Sequence, residues 1–111
     1  MYEQCDIVLI PFPYSDLSSL KLRPALIISN KKVNRTEDRI CCLVTSNKTE
    51  EGIKIDKEDY AEGRLPFDSW VKPHRIFTIH QKIVKKKLCK IDAGLHEKIL
   101  HKLYDYIKID I

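Results

Sequence analysis

Two short apolar runs, separated by a polar segment that prolines bracket, constrain the fold of this chain more than any other feature. Residues 7–10 (IVLI) and 25–28 (ALII) are branched, aliphatic and bounded by turn formers, which is typical of buried strands. The segment between them exceeds the roughly two to five residues of a plain hairpin loop, and long loops in compact domains are often functional. The pattern predicts strands at residues 5–12 and 23–29, joined by a functional loop at residues 13–22.

Arg23 stands at the end of this segment, directly before Pro24. The ring of a proline clashes with a helical residue before it, so we expect an extended backbone at Arg23. We interpret Arg23 as an anion-binding group that is held in position before its ligand arrives. An ion pair with a nearby carboxylate is the alternative interpretation.

Further short strands and one helix are predicted along the rest of the chain. Residues 30–38 form a predicted loop, and Asp92 is a predicted N-cap for a helix at Ala93–Ile107 with an apolar stripe. Five to seven short strands in so small a chain favour a strongly bent β-barrel that the helix closes on one side. The additional strands are expected at residues 39–45, 65–71, 75–80 and 85–91, with an edge strand at 52–55.

The 111 residues fit a single domain, 1–111, with 43% hydrophobic and 32% charged residues. The net charge is +4, and residues 72–90 contain no acidic side chain, which is compatible with a polyanionic partner without requiring one. No apolar run approaches the roughly 20 residues of a membrane span, and the first residues lack the features of a signal peptide. We therefore expect a cytoplasmic protein.

The four cysteines, Cys5, Cys41, Cys42 and Cys89, adjoin apolar residues, so we expect them to be reduced and buried. There is no C-x-x-C pair, and the only His pair on the predicted helix is five residues apart, off a shared face. The sequence predicts neither a metal site nor a cofactor.

Three polar elements border predicted strands: Arg23, Thr45 with Ser46, and residues 72–78 with His74. If strands 23–29 and 39–45 are antiparallel neighbours, Arg23 and Thr45 lie at the same edge and face one pocket. A guanidinium stabilises phosphate charge, a hydroxyl donates to a phosphate oxygen, and a histidine transfers protons near neutral pH. This set suits a phosphodiester, and in RNA the 2′-OH supplies the nucleophile.

Structural interpretations compete with each of these assignments. Thr45 is a common strand or turn residue, and a lone histidine such as His74 is more often a surface residue. The serines and Asp16 at residues 15–19 lack the G-x-S-x-G motif of a serine hydrolase, so turn formation explains them better.

The motifs DIVLIPFPYSD, LRPALIIS, LVTSN and SWVKPHRIFTIHQKIV, in this order before a terminal helix, resemble the MazF/PemK family of toxin endoribonucleases. The resemblance implies an SH3-like β-barrel with a C-terminal helix, usually a homodimer. It also implies metal-independent cleavage of single-stranded RNA (mRNA) and inhibition by a cognate antitoxin protein.

The family's motif arginine and threonine fall on Arg23 and Thr45, and the family's groove-bordering loop corresponds to residues 14–22. We take Arg23, Thr45 and His74 as candidate catalytic residues. The candidate substrate-binding residues are Tyr14, Lys21, Ser46, Asn47, Lys72, Arg75 and Thr78.

Two positions depart from the family pattern. Cys5 replaces a common glycine, which we interpret as a packing change. Lys72-Pro73-His74 stands where many relatives carry an acidic residue, so His74 either keeps or loses an acid–base role. A non-catalytic binder of RNA or protein, like the gyrase-poisoning CcdB toxins, is the alternative function.

Overall fold

Antiparallel strands form one curved sheet against which a C-terminal helix packs. The structure, a computed structural model, describes residues 1–13 and 20–111. The strands are β1 (Asp6–Pro13), β2 (Leu20–Ile27), β3 (Asp38–Thr45), β4 (Ile53–Lys54), β5 (Tyr60–Glu62), β6 (Trp70–His80) and β7 (Lys86–Ile91), and the helices are α1 (Lys31–Asn34) and α2 (Ala93–Ile107). Across the sheet the strands are ordered β4-β6-β3-β2-β1-β7-β5.

The hairpin of β1 and β2 is longer than the sequence predicted. Leu9 pairs with Pro24 and Pro11 with Leu22, so the predicted loop at residues 13–22 is wrong at both ends, and Arg23 lies inside β2. β7 pairs with β1 only at residues 6–9 of β1, and β3 pairs with β2 only at residues 25–27 of β2. Pro11, Pro13 and Pro24 therefore lie where the hairpin extends past β7 and β3. Because a proline has no N–H group, these positions remove no hydrogen bond from the pairing of the hairpin with those two strands.

The prediction of two separate strands at residues 65–71 and 75–80 is also wrong, because β6 is one strand that begins only at Trp70. Its register against β3 shifts: Cys42 pairs with Ile76, whereas Leu43 pairs with Lys72. Residues 73–75 are thus unmatched and form a bulge. A bulge tolerates the proline at position 73, which cannot donate to a ladder.

Two elements are absent from the sequence-based prediction. β5 pairs with β7 at one end of the sheet, and α1 provides a helical turn within the predicted loop at residues 30–38. The predicted edge strand at residues 52–55 is confirmed as β4, at the other end of the sheet.

The helix α2 has its predicted bounds, and Asp92 caps it by accepting a hydrogen bond from the Leu95 backbone N–H at 2.8 Å. Leu95 and Ile99 are buried in the core. The predicted apolar stripe is covered only over this first half, because Ile107 is 68% exposed and Tyr104 is 67% exposed.

Three of the cysteines are buried, as predicted, and Cys5 is half-buried. Burial raises the pKa of the Cys41 and Cys42 thiols to about 12 and that of Cys89 to about 11. These thiols are therefore protonated, weakly reactive core groups at neutral pH.

Candidate functional site

A cavity of about 460 Å³ lies beside the hairpin of β1 and β2. Residues 21–24 of β2 form one wall, and residues 44–46, at the end of β3, form a second. Residues 64–67, which we call the 64–67 segment, contribute the third wall. We refer to this space as the Arg23 cavity.

Arg23 and Thr45 both line the Arg23 cavity because of the register between β2 and β3. Ala25 pairs with Leu43 in this antiparallel ladder. Arg23 lies two residues before Ala25, toward the start of β2, and Thr45 lies two residues after Leu43, at the end of β3. Residues two apart in a strand share a face, so both side chains lie at one edge, where the sequence predicted them.

The backbone that follows β3 fixes the hydroxyl of Thr45. Its Oγ1 accepts a hydrogen bond from the Asn47 backbone N–H at 3.1 Å. This contact uses a lone pair of the oxygen and does not engage the hydroxyl hydrogen, which suits donation to an anion. Thr45 is 8% exposed, so the hydroxyl is presented from a nearly rigid position.

The charge of the Arg23 cavity favours an anion. Among the described residues that line it, Lys21, Arg23 and Arg64 are cationic, and none is acidic. Ser46 also lines the cavity, whereas Asn47 does not line it and donates its backbone N–H to Thr45; the binding roles of both residues stay predictions. Three cationic side chains on the walls of one cavity suit a phosphate group.

The sequence-based reasoning missed Arg64 and Phe67. Residues 65–71 were predicted to be a strand, whereas the structure has a loop before Trp70 whose residues 64–67 line the cavity. Gly63 has a positive φ of 60°, which glycine adopts without strain, and it redirects the chain from β5 into the 64–67 segment. Gly63 directly before this segment and Pro66 within it are the signal that identifies a loop here.

The structure does not bring the candidates on β6 to the Arg23 cavity. His74 makes an edge-to-face contact with the ring of Tyr106 on α2, with ring centroids 6.0 Å apart. Arg75 and Thr78 are exposed residues of β6 that do not line the cavity either. The roles assigned to these three residues stay predictions.

Lys72, also a predicted binding residue, lies near Glu51. The pKa of Glu51 is lowered first by the Thr49 hydroxyl, which donates a hydrogen bond at 2.8 Å, and less strongly by the charges of His74 and Lys72. The binding roles of Lys72 and Tyr14 also stay predictions, and Tyr14 lies outside the described residues.

Part of the basic run at residues 72–90 is neutralised by acidic residues elsewhere in the chain. Lys87 Nζ lies 2.8 Å from Glu62 Oε1, and Lys90 Nζ lies 3.1 Å from Glu3 Oε1. Both lysines also contact the buried carboxylate of Asp6, at 3.4 and 3.1 Å. These two lysines fix β7 to β1, so they contribute little to a surface for polyanions.

Within residues 1–13 and 20–111, no group of three or more His, Cys, Asp or Glu side chains is placed to hold a metal ion. No helix in the same ranges combines the length and the apolarity that crossing a membrane requires.

Comparison with known proteins assigns this architecture to a family. The family model described as PemK-like, MazF-like toxin of type II toxin-antitoxin system matches residues 3–107. No curated protein sequence matches the chain.

Solved structures have the same fold across nearly the whole chain. An endoribonuclease in complex with its cognate antitoxin, from a mycobacterial species, has a TM-score of 0.80 and 18% identity, covering 100% of this chain and 99% of that one. MazE-MazF from Deinococcus radiodurans (Form-III) has a TM-score of 0.77 and 17% identity, covering 98% of each chain. The predicted small barrel with a C-terminal helix is thereby confirmed.

Proposed function

The chain belongs to the PemK-like, MazF-like toxins of type II toxin-antitoxin systems, and from this premise we propose that it is an endoribonuclease, a single domain that cleaves single-stranded RNA at a short sequence. The observation that carries the proposal is the placement of Arg23 and Thr45 on the walls of one cationic cavity. The mycobacterial protein of the same fold is an endoribonuclease, which agrees with the proposal.

The Arg23 cavity suits transfer of a phosphodiester to a hydroxyl of the substrate itself. The 2′-OH attacks the adjacent phosphorus, the bond to O5′ breaks, and the products are a 2′,3′-cyclic phosphate and a 5′-hydroxyl. The proton lost by the 2′-OH is balanced by the proton that O5′ gains. Because the nucleophile is internal, the reaction requires no metal-activated water.

Arg23 and Thr45 have distinct roles in this proposal. The guanidinium of Arg23 holds two non-bridging phosphate oxygens and stabilises the charge that grows on them in the transition state. The hydroxyl of Thr45 donates to the same phosphate and fixes its orientation. Arg23 itself is the candidate for proton transfer within one chain, because His74 contacts Tyr106 and does not line the cavity.

We further propose the partners that accompany such an activity. A cognate antitoxin would block the Arg23 cavity with an extended tail, as the mycobacterial relative is bound to its own antitoxin. A second copy of the chain would cover the exposed apolar end of α2. We place the activity in the cytoplasm, where mRNA substrates occur.

The experiment incubates the purified protein with a long mixed RNA in EDTA and maps the new 5′ ends. We expect cleavage at a short sequence that leaves 5′-hydroxyl ends. Arg23→Ala should reduce the rate by about 100-fold or more, the usual effect of removing a group that stabilises transition-state charge. Arg35→Ala, at an exposed arginine at the end of α1, is the matched control.

Cleavage that requires added Mg²⁺, or that survives unchanged in Arg23→Ala, would overturn the proposal. In that case the proteins that co-purify with the native chain would identify a non-catalytic role. Circular dichroism of each variant confirms that the fold is retained.

A further inference from the structure

A second cavity adjoins the Arg23 cavity across the 64–67 segment. It has a volume of about 680 Å³ and is lined by residues 54–57, Tyr60 and residues 64–68. We call it the Lys57 cavity. All four residues of the 64–67 segment line both cavities, so the segment forms a ridge between two adjoining spaces.

Phe67 lies on this ridge and is 73% exposed. Its backbone is held in place, because its carbonyl accepts a hydrogen bond from the Ser69 hydroxyl at 2.9 Å, and Ser69 is 4% exposed. The Ser69 carbonyl in turn accepts from the Ile55 backbone N–H at 2.9 Å. An exposed aromatic ring on an anchored backbone offers a stacking surface for a nucleobase.

The Lys57 cavity is also basic. Lys54, Lys57 and Arg64 are its cations, against Asp56 and Asp68. Lys54 and Asp68 are 3.9 Å apart and largely exposed, so their pairing is weak and yields readily to a phosphate. Lys57, an exposed residue in a 3-10 turn, and Arg64 remain as the principal contacts for a backbone phosphate.

From this arrangement we propose that the RNA strand held at Arg23 crosses Phe67 and continues into the Lys57 cavity. Phe67 stacks on a base next to the scissile phosphate, and Arg64 and Lys57 contact the phosphates that follow. A basic groove with an interposed aromatic ring is the usual design for binding an extended single strand. This inference rests on the proposed function, and it adds a path for the substrate beyond the reacting phosphate.

The test uses RNA oligonucleotides that span the mapped cleavage site, with a 2′-O-methyl group at the attacking hydroxyl to prevent cleavage. Each carries a fluorescein label and is extended by none, two or four nucleotides on either side. Fluorescence anisotropy gives Kd for each length. We expect extension on one side to tighten binding by about 10-fold or more in the wild type, and this gain to shrink to about 2-fold in Lys57→Ala.

The salt dependence of Kd provides a second test of the proposed phosphate contacts. Loss of one phosphate contact lowers the slope of log Kd against log salt by about 0.7 for a single strand, so Lys57→Ala should show this change with the extended RNA. Lys82→Ala, at an exposed lysine in the 3-10 turn after β6, is the control and should match the wild type.

Phe67 is tested by a series of substitutions. Phe67→Ala should weaken binding of the extended RNA by about 5- to 100-fold, whereas Phe67→Trp restores it and Phe67→Leu does not, because stacking requires a flat ring. An exposed side chain contributes little to folding, so the melting temperatures of all three variants should equal that of the wild type.

The outcomes separate this inference from the proposed function. A wild type that cleaves RNA, but whose affinity is independent of RNA length and of Phe67, overturns the inference alone. A wild type that neither cleaves nor binds these RNAs overturns both proposals.

Discussion

Arg23 and Thr45 line one cavity, and they lie two residues beyond Ala25 and Leu43, the last pair of the ladder between β2 and β3. Neither residue depends on a long flexible loop for its position: Arg23 pairs with Ile10 inside the hairpin, and Thr45 ends a buried strand. A site built on strands holds its groups with little reorganisation, which favours stabilisation of a transition state over loose binding.

Thr45→Val removes the hydroxyl and keeps the shape of the side chain. We expect cleavage of RNA to fall by about 10- to 1,000-fold, because the phosphate loses one fixed donor. Thr45→Ser keeps the hydroxyl and should restore most of the rate. The measurement is the single-turnover rate in EDTA, and equal rates for Thr45→Val and the wild type would remove Thr45 from the proposed mechanism.

His74→Ala decides whether this histidine takes part in proton transfer. Within one chain His74 contacts Tyr106 and does not line the Arg23 cavity, so we expect the variant to keep the cleavage rate and its pH profile. The measurement is the rate from about pH 5 to pH 9. A lost limb of the profile near neutral pH would instead show that His74 reaches a reacting phosphate, as an acid–base group would.

Local signals were sufficient to predict α2 and β3. A cap at Asp92 and a stripe with helical period depend only on neighbouring residues, and both are visible in the sequence. The bulge at residues 73–75 is different, because it exists only relative to the register of β3. A pattern read along one strand does not contain that register, so the prediction divided β6 in two.

The residues of the candidate site were likewise predictable only in part. Arg23 and Thr45 were predictable because antiparallel neighbours place the start of one strand beside the end of the next. Arg64 and Phe67 line the Arg23 cavity only because the chain between β5 and β6 lies beside β2 and the end of β3, parts of the sequence that are distant from it. No local pattern encodes such a crossing.

Cys5 has a φ of 76°, in the left-handed region that favours glycine. A glycine would adopt this backbone conformation without strain, whereas Cys5 packs partly buried against the core, and its interpretation as a packing change stays a prediction. Cys5→Gly should be more stable than Cys5→Ala by about 1 kcal/mol, since alanine keeps the strained Cβ. Urea unfolding of both variants measures the difference, and a more stable alanine variant would contradict this account.

Ile107→Glu tests the proposed self-association. Tyr104, Ile107 and Ile109 expose large apolar side chains at the end of α2, and burial of such surface drives association. We expect the wild type to be a dimer and Ile107→Glu to weaken dimerisation by about 10-fold or more, as measured by analytical ultracentrifugation. Ile83→Glu, at an exposed isoleucine in the turn after β6, is the control. Dimers of equal strength in all three proteins would place the interface elsewhere.

His96 makes the stability of the fold depend on pH. Its side chain is 5% exposed, and its ring nitrogens have no hydrogen-bond partner in the part of the chain that the structure describes. Burial lowers the pKa of His96 below its ordinary value of 6.5, so the unfolded chain binds the proton more tightly than the folded chain. Its contribution to stability is therefore fully present above pH 6.5 and is lost as the pH falls toward the lowered pKa.

His96→Leu removes both the titrating group and the unpartnered nitrogens. We expect a smaller loss of unfolding free energy between about pH 7 and pH 5 than in the wild type, together with higher stability at the acid end. Urea unfolding at a series of pH values gives the slope of the free energy of unfolding against pH. His101→Leu makes the same change at an exposed position of α2 and is the matched control for replacing a histidine of this helix by leucine. Identical slopes for His96→Leu and the wild type would show that other groups control the acid sensitivity.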